Sequence, residues 1–128
     1  MSKAECLVKK WSPHHFSTEG YPGEDYKKFQ REARAALKEL ADAAGYTLHK
    51  FLPNHYQFSA ILQEHETGAY AYVSISDVRL FRNAWATNIL YRQMRDEYDW
   101  HGGDNHYCTL TGLSTALQSL YLKEEAKV

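Results

Sequence analysis

The chain has 128 residues, with 15 Lys plus Arg against 16 Asp plus Glu, seven histidines and a formal net charge of -1. One core burying roughly two-thirds of the unfolded surface suits that length, so residues 1–128 read as a single domain. A hydrophobic share of 44% and a charged share of 24% argue against wholesale disorder, the near-zero charge excludes a chain-wide basic field, and no apolar run approaches the roughly 20 residues of a membrane-spanning helix.

Residues 1–20 read as an N-terminal edge strand and loop: Cys6-Leu7-Val8-Lys9-Lys10-Trp11 alternates with its lysines outward, and Ser12-Pro13-His14-His15-Phe16 ends it. From Pro22 to Ala44 the period is helical, with Tyr26, Phe29, Ala33, Leu37, Leu40 and Ala44 on one arc and Gly45 as the C-terminal cap. Lys27, Arg31, Arg34 and Lys38 fall on a second arc and Asp25, Glu32 and Glu39 on a third, which gives this helix three faces. After Gly45 the period becomes two. Tyr46, Leu48 and Lys50 alternate with Thr47, His49 and Phe51, Pro53-Asn54 turns the chain, and Tyr56, Phe58, Ala60 and Leu62 share a face in the next strand. Glu64 to Gly68 is a turn. In Ala69 to Ser76, the set Ala69, Ala71, Val73 and Ile75 faces one way and Tyr70, Tyr72, Ser74 and Ser76 the other, as in a sheet packed on one side.

Asp77 to Ala84 reads as a connection, Thr87 to Arg95 as a fourth strand, and Glu97 to Cys108 as a polar loop rich in aromatics. Thr109 or Thr111 caps a last helix carrying Leu113, Ala116, Leu117, Leu120 and Tyr121, and residues 123–128 fray. The expected fold is α+β. A long N-terminal helix and a short C-terminal helix cover one face of a four-stranded antiparallel sheet, five-stranded if the N-terminal strand joins it. Helix, three strands, helix resembles the order of double-stranded-RNA-binding domains, in topology alone.

Two surfaces carry candidate chemistry. Lys27, Arg31, Arg34 and Lys38 set four cations along one helix edge, where they could track phosphates, with Tyr70 and Tyr72 as stacking groups. The competing reading is a solvated face in which Glu24 pairs Lys28 and Lys38 pairs Asp42. The loop from Asp96 to Cys108 gathers acids, aromatics and histidines, so Glu97, Tyr98, Asp99, Trp100 and Asp104 are the candidate anchors for a basic partner. In the same loop His101, Asp104, His106 and Cys108 are potential zinc ligands, and His101 or His106 with Cys108 a potential base and nucleophile. The paired spacings of a zinc site are absent from the sequence, and spacing alone supplies neither the orienting third group nor the oxyanion hole of Cys-His catalysis, so no cofactor is expected and binding is favoured over catalysis. Gly102-Gly103 lacks the Lys-Ser or Lys-Thr of a P-loop and reads as a tight turn. His14-His15 reads as an exposed turn. Cys6 and Cys108 lie far apart and no apolar leader opens the chain, so the expectation is a cytoplasmic protein with reduced thiols.

Phe16-Ser17-Thr18-Glu19-Gly20-Tyr21-Pro22, Pro53-Asn54-His55-Tyr56, Tyr72-Val73-Ser74-Ile75-Ser76-Asp77-Val78-Arg79 and Gly102-Gly103-Asp104-Asn105 together resemble a group of small proteins carried by mobile elements of Firmicutes. Proteins of that setting and size include anti-CRISPR proteins and other inhibitors of host defence, which usually act by occluding a nucleic-acid channel or partner site rather than by catalysis. The resemblance therefore implies a protein partner such as a CRISPR effector nuclease, and it transfers no residue's role. Binding of nucleic acid through the basic helix is the alternative expectation, and a Cys-His or zinc-dependent enzyme the second. A two-fold homodimer through the tyrosine face would also account for that face.

Overall fold

A computed structural model describes residues 2–16, 21–79, 83–99 and 104–125, with side chains to Leu120. The first element is a helix, α1 (Lys3–Trp11), and the expected N-terminal edge strand is corrected accordingly. Ser2 Oγ accepts from Glu5 N at 3.1 Å while the Glu5 carboxylate accepts from Ser2 N at 3.3 Å, a reciprocal cap that nucleates the first turn. Ala4, Leu7 and Trp11 are the buried positions, spaced three and four apart, so a helical stripe outweighs the local alternation.

Helix α2 (Glu24–Ala44) begins two residues after Pro22 and ends where Gly45, at φ 85°, donates its N–H to the carbonyls of Ala41 and Asp42. That left-handed cap explains the abrupt change of period at Tyr46. Five strands follow: β1 (Tyr46–Asn54), β2 (Gln57–Glu64), β3 (Tyr70–Ile75), β4 (Ile89–Met94) and β5 (His106–Cys108), antiparallel and in sequence order across the sheet. A helical turn, α3 (Ala84–Thr87), precedes β4 and trims the strand expected from Thr87. The fifth strand comes from within the loop expected at 97–108. Helix α4 (Leu113–Glu125) closes the fold, with Thr109 Oγ1 accepting from Gly112 N just ahead of it at 3.1 Å.

The helices cover one face of the sheet, as the apolar periods required. Phe29 of α2 meets Trp85 of α3 and Phe58 of β2 at ring separations of 4.9 and 6.4 Å. Helix α4 is tied down by Tyr46 Oη donating to the Leu117 carbonyl (3.1 Å), Gln93 Nε2 donating to the Leu120 carbonyl (2.8 Å) and Ser114 Oγ donating to the Leu40 carbonyl (2.7 Å). No described helix is long and apolar enough to cross a membrane.

Two departures from simple alternation shape the other face. Leu48 pairs Leu62 and Lys50 pairs Ile61, so His49 is an extra residue in β1. This bulge turns Phe51 inward with Tyr46 and Leu48, and sends Lys50 outward. The tyrosine and serine face is also not bare along its whole length. Ile61, Arg92 and Met94 point to it and are buried, and residues 95–99 return from β4 to β1 across this face. Arg92 Nη2 donates to the Asp99 carbonyl at 2.8 Å, and Glu97 reaches His49 and Lys50.

Candidate nucleic-acid interface

Helix α2 presents the three faces that its sequence spacing predicts, and their charges have different fates. Every acid of the third arc meets α1 or the turn after it. Asp25 Oδ2 lies 2.8 Å from His14 Nε2, Glu32 accepts from Lys10 Nζ at 2.9 Å and from Trp11 Nε1 at 3.1 Å, and Glu39 accepts from Lys3 N at 3.0 Å. The hydrogen bond from His14 holds the Asp25 carboxyl below its usual range. Burial pushes Glu32 up, but the bonds from Lys10 and Trp11 outweigh it and leave that carboxyl lowered too.

The second arc meets nothing comparable. Lys27, Arg31, Arg34 and Lys38 are all exposed. Lys27 pairs Glu24 at 3.3 Å, whereas Arg31, Arg34 and Lys38 make no ion pair among the described residues. The alternative pairs Glu24 with Lys28 and Lys38 with Asp42 do not form there either. Arg34 instead lies over the Phe51 ring, 5.5 Å from its centroid, which fixes this arc beside the outer edge of the sheet at β1. At about 1.5 Å per residue, Lys27 to Lys38 spans roughly 16 Å.

The acidic segment is largely engaged with its own chain. Glu97 Oε2 contacts His49 Nε2 and lies 3.7 Å from Lys50 Nζ, and the hydrogen bond from His49 is the main reason its carboxyl is lowered. Asp99 is 7% exposed, and its Oδ2 accepts from Arg95 N at 3.1 Å. Tyr98 remains 67% exposed, with Lys50 Nζ 5.1 Å from its ring centroid. Asp104 is exposed, while Trp100 and His101 lie outside the described residues. Of the proposed anchors, then, Tyr98 and Asp104 face outward, and Glu97 and Asp99 serve to dock the loop.

Tyr70 and Tyr72 stand half-buried on the outer face, each with a neighbour. Arg92 lies over Tyr72 at 5.0 Å, and Tyr70 accepts from Gln63 Nε2 at 3.3 Å beside the His49 ring. His101 lies outside the described residues, and the remaining metal and nucleophile candidates form no metal-binding group among those described. His106 and Cys108 pair with Tyr91 and Ile89 on the helix-covered side. Burial pushes the Cys108 thiol up to about 11, away from the thiolate that a ligand or nucleophile requires.

His49 and Lys50 belong to the surface and were not singled out from sequence. Two successive polar residues between Leu48 and Phe51 are the sign of the bulge that exposes them. Comparison with known protein families, curated proteins and solved structures finds no match to this chain.

Proposed function

We propose that this chain is a nucleic-acid-binding module that holds a phosphate backbone along the basic face of α2. The observation that carries the reading is the asymmetry of that helix. Arg31, Arg34 and Lys38 are exposed in one row without acidic partners among the described residues, while the acids on the neighbouring arc are taken up by α1. A row of roughly 16 Å, with its cations about one helical turn apart, is long enough to meet more than one phosphate of a strand at once. Guanidinium groups also bind phosphate through paired donors, which favours Arg31 and Arg34 as the principal contacts.

Binding of fluorescent single- and double-stranded DNA and RNA across a salt series tests it. Affinity falling with a log–log slope of about -3 is expected, and Arg31→Ala with Arg34→Ala lowers both affinity and slope. Absence of binding at low salt, or an unchanged slope in the variant, refutes it.

A second reading keeps the anti-CRISPR-like inhibitor, occluding a basic protein partner such as a nucleic-acid-handling effector. It is favoured by exposed tyrosines and acids at both edges of the sheet, Tyr98 with Asp96 over β1 and Tyr107 with Asp104 at β5, since such groups suit an arginine-rich surface. Its test is complex formation with a purified effector nuclease, lost on reversing Asp96 and Asp104.

A further inference from the structure

We infer that the Glu97 carboxylate occupies a phosphate position, masking an extension of the interface that takes a single-stranded segment on His49, Lys50 and Tyr98. The inference rests on the nucleic-acid reading of α2 and names the form of ligand that completes it. Strand β1 is the edge of the sheet, and consecutive residues of it carry the two halves of the surface: Arg34 of α2 covers Phe51 from the helix side, while Lys50 emerges on the other side. The bulge at His49 makes this possible, because it brings His49 and Lys50 together onto one anion. That anion is Glu97 Oε2, contacted by His49 Nε2 and lying 3.7 Å from Lys50 Nζ.

An oxygen anion held by an imidazole and an ammonium reproduces what a phosphodiester would meet at the same place. Beside it stands Tyr98, 67% exposed and in contact with Lys50, a ring on which a base can stack only if the base has left its duplex partner. Among the described residues Tyr70 faces the His49 ring, Asp96 accepts from Tyr98 N, and the Tyr98 side chain itself hydrogen-bonds Glu97. A strand seated along α2 and turning over β1 thus finds a cation and a stacking ring, provided that its phosphate displaces Glu97.

The test is binding of a mixed-sequence single-stranded oligonucleotide, and of the corresponding duplex, by the full chain across a salt series. Glu97→Gln is expected to tighten single-strand binding several-fold and to steepen the salt slope by about 0.7, the contribution of one added phosphate contact on a single strand. Asp104→Asn makes the same change of charge at the opposite edge of the sheet and is expected to give a distinctly smaller gain. Adding Lys50→Gln to Glu97→Gln abolishes the gain. Equal effects of Glu97→Gln and Asp104→Asn, or a gain that survives Lys50→Gln, overturn the masking; an equal gain on duplex overturns the single-stranded occupant. Loss of all binding in Arg31→Ala with Arg34→Ala, with no effect at Glu97, leaves the α2 reading standing and removes this one. No binding by any form of the chain removes both.

Discussion

The acidic and basic arcs of α2 are built on the same helix, yet one is part of the fold and the other faces solvent. Asp25, Glu32 and Glu39 receive His14, Lys10 with Trp11, and the backbone of Lys3, so α1 is docked partly through charge. Arg31, Arg34 and Lys38 lie across the helix from that contact and meet no acid among the described residues. A charge run is thus interpretable only after its partners are known. A row left over when the fold has satisfied its own ions is the better candidate for an external one.

The comparison breaks most severely at Trp11, which is buried against Phe16 and Phe29 and donates to Glu32. Trp11→Ala is expected to cost about 3–5 kcal/mol in urea unfolding. Glu32→Ala removes the acceptor shared by Lys10 and Trp11 and should cost about 1–2 kcal/mol, which the same experiment measures.

The acid limb of stability gives a smaller effect. The Asp25 and Glu32 carboxyls are lowered in the folded chain, so the unfolded chain binds more protons through the ordinary carboxylate range. Their contribution is complete above the unfolded pKa values near 4 and is lost as the pH falls through the lower folded ones. Asp25→Asn should therefore flatten the fall of melting temperature between about pH 5 and pH 2. The smallest stability effect belongs to the basic arc. Arg31→Ala, Arg34→Ala and Lys38→Ala combined should shift unfolding by about 0.5 kcal/mol or less, while the salt slope of nucleic-acid binding falls by about two or more. A large loss of stability in that triple variant would show that the two arcs are not different in kind.

Much of this architecture was open to reading from the sequence where a period persisted. The twenty-one residues of α2 carry several turns of one pattern, and the inward set of β3 alternates without interruption. The six residues from Cys6 to Trp11 were too short a window: alternation and a helical stripe coexist in them, and the capping box of Ser2 and Glu5 decides between the two. The acidic arc of α2 was itself a trace of α1, since it marks a face with something basic to meet. Strand β5 is only three residues long and is defined by its pairing to β4, a nonlocal fact. The docking of Glu97 is nonlocal for the same reason, because its partner His49 lies forty-eight residues away at a bulge.

The central claim, that the basic arc of α2 meets an external polyanion, is tested most directly by titrating an oligonucleotide into isotope-labelled protein and following backbone amide shifts. The account predicts perturbations concentrated at Lys27, Arg31, Arg34 and Lys38 and at Phe51 beside them, weakening as salt rises. Saturable binding with shifts confined to Asp104, Tyr107 and the strands around them, leaving α2 unmoved, would contradict it.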